Sequence, residues 1–313
     1  MRIVFIGTGE IGVPTLRALQ KSEHELVGVV TQPDKPVGRA QKITAPPIKK
    51  ALTGETPNAR PVEDSPRRAR TLQPARIKDR EVIDQISALA PDIIVVMAYG
   101  QILSRAVLEI PRIACLNLHA SLLPRWRGAA PIQAAIAAGD RETGMTVMYM
   151  DEGLDTGDIL LQRKIDISLS ETGATLHDRL AQIAPKALLE SLRLLAAGNA
   201  PRIPQGQTLA TYAPKLNREA GRINWNETAK GIERKIRAYN PWPGAFTDFE
   251  DRKLKIFSAS VVDLPGTPGA ILRKDNELVI ATADHALSLG EVQLEGTRRM
   301  SAAEFLRGHG VPL

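Results

Sequence analysis

The chain opens with the stretch that decides its fold, RIVFIGTGEIG at residues 2–12. Residues 2–6 form an apolar run rich in β-branched side chains, and the glycines after it lead into an apolar-periodic segment through Leu16 and Leu19. Such a run is typical of a buried strand, and the later spacing is typical of a helix. The stretch therefore predicts a strand, a tight glycine turn and a helix, which form the first unit of a parallel α/β sheet.

Gly7, Gly9 and Gly12 also match the dinucleotide-binding fingerprint G-x-G-x-x-G, and Asp34 lies roughly the expected distance of about 20 residues further on. This spacing leaves an NAD-dependent oxidoreductase open as a function. Asp34 nevertheless lies beyond the predicted second strand, Glu25–Thr31, in a loop that contains proline. Because any parallel sheet can use glycines in a tight strand-to-helix turn, we favour a structural role for them.

Strand-like and helix-like segments alternate up to residue 197. The predicted helices are Asp79–Ala90, Ala129–Ala138 and 172–197, and the predicted strands are Asp92–Ala98, Ile113–His119 and Gly144–Met150. This alternation predicts an α/β fold with a doubly wound, mostly parallel, Rossmann-like sheet. We assign residues 1–197 to one domain built around this sheet.

Two segments interrupt the alternation. Residues 31–42 are rich in proline and glycine, and they predict an irregular loop. Residues 54–76 combine prolines and arginines without an apolar period, which predicts an extended or disordered excursion.

The rest of the chain has a different pattern. Residues 198–208 contain two prolines and predict a linker, and Glu227–Ala238 has helical spacing. We expect Trp242, which stands between two prolines, to be a packing anchor. Short strand-like runs follow at Lys253–Val262, Gly269–Leu272, Leu278–Ala281, Ala286–Leu289 and Glu291–Leu294. Residues 209–313 are therefore predicted to form a small, OB-like β-barrel.

The amino-acid composition indicates the cellular compartment and the kind of binding partner to expect. Lys and Arg number 41 against 35 Asp and Glu, and the net charge of +6 is compatible with a polyanionic partner. The single cysteine, Cys115, excludes an intrachain disulfide and indicates a reducing compartment. No apolar run of about 18 residues occurs, so we expect neither a signal peptide nor a membrane span. These features predict a cytoplasmic enzyme.

The polar residues that carry chemistry lie between residues 117 and 158. Asn117 and His119 are two residues apart on a predicted strand, so both side chains point to the same face. The loop DEGLDTGD at residues 151–158 offers four acidic residues, and spacing alone does not choose among them. An amide, an imidazole and a carboxylate that meet in a pocket can stabilise an oxyanion, move a proton and orient the proton carrier. The set predicts an acyl-type transferase without a metal.

Three motifs carry a resemblance to a known superfamily. Asn117-x-His119, SLLPRWRG at residues 121–128 and LDTG at residues 154–157 resemble the signature of the formyltetrahydrofolate-dependent formyltransferases. Further motifs are similar to the branch of that superfamily that formylates initiator methionyl-tRNA: TQPD at 31–34, PIQ at 131–133, NPWP at 240–243 and RMSA at 299–302. The resemblance covers nearly all of the chain, except the Pro/Arg segment near residues 55–70.

The resemblance implies a role for each residue of the superfamily motifs. Asp155 would be the catalytic carboxylate that orients His119 and favours its charged form, and His119 would move the proton. Asn117 would stabilise the negative oxygen, typically for a factor of ~10²–10³ in rate. The formyl donor, 10-formyltetrahydrofolate, would lie beside the start of the loop, at Ser121, Leu122, Leu123 and Pro124.

The same resemblance implies the acceptor, the α-amino group of methionine on initiator methionyl-tRNA. The tRNA would be bound by Lys35, Arg39 and Lys42 and by the basic C-terminal domain. For Arg125 and Arg127, a role in binding phosphate or folate and a structural role both stay open. Glycinamide ribonucleotide or an amino sugar nucleotide as acceptor, and a non-catalytic RNA-binding protein, are the alternatives. No membrane and no obligate protein partner is implied.

Overall fold

The computed structural model describes residues 1–38, 40–54, 69–274 and 277–309. The chain forms two compact units, each assembled from several segments. The first comprises Met1–Arg127, Gly144–Ile165 and His177–Tyr212, and the second comprises Gly128–Thr143, Asp166–Leu176 and Ala213–Leu313. The division into a catalytic domain, a linker at residues 198–208 and a C-terminal domain stays a prediction.

Strands and helices are interspersed along the chain up to residue 213. The strands are β1 (Arg2–Gly7), β2 (Glu25–Val30), β3 (Lys35–Val37), β4 (Lys42–Thr44), β5 (Arg70–Leu72), β6 (Ile93–Met97), β7 (Ala114–His119), β8 (Arg127–Gly128), β9 (Glu142–Tyr149), β10 (Ile159–Asp166) and β11 (Tyr212–Ala213). The helices are α1 (Val13–Gln20), α2 (Pro47–Thr53), α3 (Arg80–Ser87), α4 (Arg105–Leu108), α5 (Pro131–Ala138) and α6 (Gly173–Ala196). Across the described part of the chain, no helix is both long and apolar enough to cross a membrane.

Seven of these strands form one sheet in the order β10-β9-β7-β6-β1-β2-β5. β1 pairs in parallel with β2 and β6, β2 with β5, and β6 with β7, whereas β7 and β9 are antiparallel. The order reverses at β1, because β2 and β5 lie on one side of it and β6 and β7 on the other. The prediction of a doubly wound, mostly parallel sheet is confirmed.

At the central strands β1 and β6, both faces of this sheet are buried, which explains the continuous apolar runs of these two strands. On one face, Val4 and Ile6 pack in a cluster with Ile86 of α3. On the other face, Ile3 and Phe5 are also fully buried. A strand that is covered on both faces needs apolar side chains at successive positions rather than at alternate ones.

Packing accounts for the first glycine of the opening turn. A Cβ atom on Gly7 would lie 2.7 Å from Cε1 of Phe5 and 2.8 Å from the carbonyl oxygen of Met97. The close approach of β1 to β6 therefore leaves no room for a side chain at Gly7, which supports the structural interpretation of the glycines.

Residues 31–42 differ from the irregular loop that was predicted. β3 and β4 pair as an antiparallel hairpin in which Lys35 lies opposite Thr44. Pro36 fits into this hairpin because only alternate residues of a two-stranded pair donate to the partner strand. Arg39 lies outside the described residues.

The prediction for residues 54–76 was wrong at the C-terminal end of that segment. Arg70–Leu72 form β5, and the side chain of Leu72 is buried. A strand of three residues offers too few positions for a period to show beside proline-rich neighbours. Residues 55–68 lie outside the described residues.

The second unit contains α5, α7 (Ala229–Ala238), α8 (Ala302–Gly308) and an antiparallel sheet. The strands are β12 (Ala245–Phe249), β13 (Arg252–Val262), β14 (Ile271–Lys274), β15 (Glu277–Ala281), β16 (Ala286–Leu294) and β17 (Met300–Ser301). They follow the order β12-β13-β16-β15-β14, and β17 pairs with β16. The sheet is an antiparallel half-barrel, so the predicted C-terminal β-fold is confirmed.

Two details of this unit correct the prediction. The runs Ala286–Leu289 and Glu291–Leu294 are one strand, because Gly290 lies at an irregularity of the β13–β16 pairing rather than in a turn. A Cβ atom on Gly290 would lie 2.5 Å from Oγ of Ser258. Trp242, which was expected to be a packing anchor, leaves 51% of its surface exposed.

Candidate active site

Asn117 and His119 lie at the C-terminal end of β7, inside the seven-stranded sheet. β7 is paired with β6 along one edge and with β9 along the other. Both residues are therefore held by a strand that is fixed on two sides, and the alternation of side chains places them on one face.

Asp155, from the loop between β9 and β10, contacts both side chains. Its Oδ1 accepts a hydrogen bond from Nδ2 of Asn117 at 3.2 Å, and its Oδ2 lies 3.6 Å from Nδ1 of His119. The side chains of His119 and Asp155 are only 6% and 14% exposed, so water screens their interaction weakly. The structure thus brings together the three residues that the sequence nominated.

The other acids of the loop have other neighbours. Oδ1 of Asp151 accepts from the amide of Gly153 at 3.1 Å and from Oγ1 of Thr156 at 2.7 Å, so this carboxylate folds the loop upon itself. Asp158 lies 3.8 Å from the guanidinium of Arg202. Among the four acids of this described loop, the acid that faces His119 is therefore the one at position 155.

Both ring nitrogens of His119 face hydrogen-bond acceptors. Nε2 lies 2.8 Å from the carbonyl oxygen of Trp126, and Nδ1 faces the carboxylate of Asp155. A neutral imidazole has one N–H and can donate to only one of these acceptors, whereas an imidazolium donates to both. These two acceptors restrict the orientation of the imidazole ring.

The backbone of the Asp155 loop has an uncommon conformation. Asp155 has a φ of +52°, in the left-handed region that most side chains avoid. Gln205, in the predicted linker, is buried and donates from Nε2 to the carbonyl oxygens of Asp155 at 2.9 Å and of Gly157 at 2.7 Å. No sequence pattern pointed to Gln205, because the first of these bonds joins residues 50 positions apart.

Arg127 is fully buried and is held by two glutamines. Its Nε and Nη2 donate to Oε1 of Gln205 at 3.1 and 2.8 Å, and its Nη1 donates to Oε1 of Gln207 at 3.1 Å. The structural role is therefore the correct one of the two that were open for Arg127. Arg125 is exposed and lies 5.1 Å from the centroid of the Trp126 ring.

Ser121 and Leu123, two of the predicted folate contacts, have side chains that point into the protein interior. Ser121 is buried, and its Oγ donates to a backbone carbonyl at 2.6 Å. The amide of Leu123 donates to Oγ1 of Thr146 at 3.2 Å, and its carbonyl accepts from Nε2 of Gln162 at 2.9 Å. These bonds fix the start of the loop against the sheet.

Leu122 and Pro124 are half-buried, so their side chains reach the surface of this segment. The contact of the segment with folate stays a prediction. Within the described ranges, no group of three or more His, Cys, Asp or Glu side chains is arranged to hold a metal ion.

The residues predicted to contact tRNA lie in the first unit, but in a different part of it from Asn117, His119 and Asp155. Lys35 and Lys42 are exposed on the β3–β4 hairpin, where Lys35 lies opposite Thr44 and Val37 lies opposite Lys42. Residues that face each other across a hairpin lie on the same side of it, and so do residues two apart on one strand. Lys35 is two residues before Val37, which faces Lys42, so both lysines point to the same side. The hairpin follows β2, which β1 and β6 separate from β7 in the sheet. The third predicted contact, Arg39, lies outside the described residues.

Comparison with known proteins defines the class to which this fold and site belong. Residues 1–192 match the family described as formyl transferase, and residues 215–310 match the formyl transferase C-terminal domain. The chain belongs to the formyl transferase family, whose members use folate. It is 46% identical to the methionyl-tRNA formyltransferase of Legionella pneumophila subsp. pneumophila over 310 residues, which are 98% of this chain and 95% of that protein.

Solved structures share the fold. WlaRD, a sugar 3N-formyl transferase crystallised in the presence of dTDP and 5-N-formyl-THF, matches with a TM-score of 0.67 and 17% identity over 95% of this chain and 99% of its own. HypX from Aquifex aeolicus, in complex with tetrahydrofolic acid, matches with a TM-score of 0.62 and 20% identity over 98% of this chain. The match spans only 47% of the HypX chain. At these identities the likeness concerns the fold alone.

The alternative of an NAD-dependent oxidoreductase is wrong, because the chain is a formyl transferase. Asp34, the acidic residue that would have bound the ribose in this alternative, is hydrogen-bonded to other side chains of the protein. Its carboxylate accepts from Nζ of Lys49 at 2.8 Å and from Nε2 of Gln73 at 2.8 Å. These two bonds, first that of Lys49 and then that of Gln73, lower the pKa of Asp34.

Proposed function

We propose that this chain transfers the formyl group of 10-formyltetrahydrofolate to the α-amino group of methionine on initiator methionyl-tRNA. The observation that carries the proposal is the buried contact of Asn117 and His119 with Asp155. It occurs in a chain that is similar, nearly from end to end, to a methionyl-tRNA formyltransferase. In transfer of a formyl group to an amine, an amide donor can stabilise the oxyanion, an imidazole can move the proton, and a carboxylate can orient the imidazole.

His119 carries the proton. When bound, the folate supplies the formyl carbon and the nitrogen that leaves it, and that nitrogen must be protonated as the amine of methionine loses a proton. The distance of 3.6 Å between Nδ1 of His119 and Oδ2 of Asp155 is longer than a hydrogen bond, so the carboxylate orients this nitrogen without binding it tightly. Acid–base catalysis of this kind contributes typically ~10²–10⁴-fold in rate.

Asn117 stabilises the negative charge that develops on the formyl oxygen. Its Nδ2 carries two N–H groups, and the bond to Asp155 uses one of them. That bond also fixes the orientation of the amide, so the second N–H has a defined direction. A donor that needs no reorientation during the reaction contributes about 3–4 kcal/mol to the stability of the transition state.

The β3–β4 hairpin supplies the contact with the tRNA backbone. Lys35 and Lys42 point to the same side of the hairpin, and both are exposed. Arg39, from the segment that joins the two strands, is proposed as the third cation. Lysine and arginine side chains that neutralise phosphates release counterions, so this contact contributes affinity that falls as salt rises.

The direct test is incubation of the protein with 10-formyltetrahydrofolate and methionyl-tRNA, followed by deacylation and detection of N-formylmethionine by mass spectrometry. Parallel reactions contain glycinamide ribonucleotide or an amino sugar nucleotide as acceptor. Formylation of methionyl-tRNA supports the proposal, whereas formylation of one of the small acceptors alone contradicts it.

Substitutions test the proposed roles in the same assay. His119→Ala and Asp155→Asn are expected to lower kcat by ~10²–10⁴-fold while the affinity for tRNA stays near that of the wild type. The chain offers a matched control in His177 and Asp178 of α6, whose Nδ1 and Oδ1 lie 3.0 Å apart and whose side chains are 31% and 80% exposed. His177→Ala and Asp178→Asn should leave kcat unchanged, and an equal loss in both pairs would remove the special role of the buried pair.

A further inference from the structure

The position of the Asp155 side chain depends on the backbone of the loop 151–158, and that backbone is held by a residue outside the loop. A non-glycine residue at a φ of +52° is strained, and this conformation persists where its surroundings fix it. A buried amide group, Nε2 of Gln205, binds two carbonyl oxygens of this loop, one at Asp155 and one at Gly157. The side chain of Gln205 therefore fixes the backbone at two positions of the loop, Asp155 and Gly157.

Arg127 determines which end of the Gln205 amide faces the loop. A guanidinium has only donors, and two of them point to Oε1 of Gln205. The oxygen of the amide must therefore face Arg127, and the NH₂ group must face the carbonyl oxygens. A flipped amide would place NH₂ against guanidinium N–H groups and oxygen against carbonyl oxygen, so the buried network allows one orientation.

The same short segment also reaches His119. The carbonyl oxygen of Trp126 lies 2.8 Å from Nε2 of His119, and the next residue, Arg127, acts on Asp155 through Gln205. The Trp126–Arg127 pair thus controls the orientation of the imidazole directly and the position of the carboxylate through one intermediate.

We infer that Gln205 is a positioning residue for the proposed formyl transfer. Its amide, oriented by Arg127, holds the Asp155 loop so that the carboxylate stays against Asn117 and His119. This inference rests on the proposed function, because it assigns a task to the same cluster. Gln205 itself touches no reacting atom.

Gln205→Glu separates the two contacts of this side chain. A glutamate of equal length still accepts from Arg127, but its carboxylate cannot donate to the carbonyl oxygens of the loop. Because a misplacement of about 1 Å can lower a rate ~10²-fold, we expect kcat to fall by about 10–100-fold while KM for both substrates stays within about twofold. Gln205→Asn keeps the amide but is one methylene shorter, and the same direction of change is expected if the charged variant does not fold.

The matched control is Gln293→Glu in the C-terminal sheet. Nε2 of Gln293 likewise donates to one backbone carbonyl, that of Thr297, at 2.9 Å. Its loss removes a bond of the same kind far along the chain from the Asp155 loop, so kcat should not change. Equal kcat values for the Gln205 and Gln293 variants would overturn the inference.

A double-mutant cycle tests whether Gln205 acts through Asp155. In the Asp155→Asn background, Gln205→Glu should cause little further loss of kcat, because the carboxylate that it positions is already absent. An undiminished further loss, or a rise of KM without a fall of kcat, would show that Gln205 has only a general structural role.

Hydrogen–deuterium exchange separates failure of this inference from failure of the proposed function. Gln205→Glu should speed exchange of the amides at residues 151–158 and leave those of β7 unchanged. If the wild type formylates no acceptor but this change of exchange is observed, the proposed function is refuted and the positioning contact stands. If the wild type is active and exchange of the loop is unaltered, the positioning inference is refuted alone.

Discussion

Substitution of Gly157 by alanine is the sharpest test of the site geometry. The added Cβ atom would lie 1.8 Å from the carbonyl oxygen of Tyr149, so one of the two must retreat by about 1.2 Å to reach a separation of 3.0 Å. Tyr149 belongs to β9, where it is paired with Leu116 of β7, and it cannot move without disturbing the sheet. The loop must move instead, and Asp155 moves with it.

The distance that the loop must move determines how far kcat is expected to fall. The bond from Asn117 to Asp155 is 3.2 Å long, so a shift of about 1 Å breaks it, and kcat should fall by ~10²-fold. Overpacking of this kind destabilises a protein by about 1–3 kcal/mol, which lowers Tm by several degrees.

The measurements are steady-state formyl transfer and thermal unfolding of the same preparation. Gly308→Ala is the control, because a Cβ atom on Gly308 would meet no atom within 4 Å. It should leave both kcat and Tm near the wild-type values. A Gly157→Ala protein with kcat within about twofold of the wild type and an unchanged Tm would refute the argument that the loop position controls turnover.

Other regions give predictions of different kinds. Burial raises the pKa of Cys115 to about 12, so the native thiol should resist alkylation at pH 8 and react only after unfolding; rapid labelling of the folded protein would contradict its burial. Lys35→Ala and Lys42→Ala should each reduce the slope of log K against log salt for tRNA binding by about 0.7–0.9 without changing kcat, and an unaltered slope would exclude phosphate contacts. The lowered pKa of Asp34 means that its bonds stabilise the fold fully above its ordinary pKa of 3.8 and are lost as pH falls through the folded value. In urea unfolding, Asp34→Asn should therefore be less stable than the wild type at pH 6, with a difference that narrows below pH 3; a constant difference would show that the charge is not involved.

The elements predicted correctly are those whose burial is uniform along the strand. β1 and β6 are apolar at nearly every position because the centre of the sheet is covered on both faces, and that pattern is visible in the sequence itself. The placement of Asn117 and His119 on one face followed from the two-residue repeat of a strand, which is also a local property.

Elements of mixed burial were missed or misread. β10 was not predicted, because only its first residues are buried and the rest are largely exposed, so neither an apolar run nor a strict alternation appears. The β3–β4 hairpin is exposed almost throughout, so no hydrophobic period marks it. Gly290 was read as a break because the sequence does not reveal that Ser258 of a neighbouring strand lies against it.

By itself, the sequence determined the alternating α/β fold, the strand that bears the imidazole and the amide, and, by resemblance, the superfamily. These follow from local periodicity and from motifs of adjacent residues. Only the tertiary structure decided that Asp155 rather than Asp151 or Asp158 faces His119, and that Gln205 and Arg127 hold its loop. Those contacts join residues that are far apart along the chain, and their geometry depends on where the packed sheet places the ends of its strands.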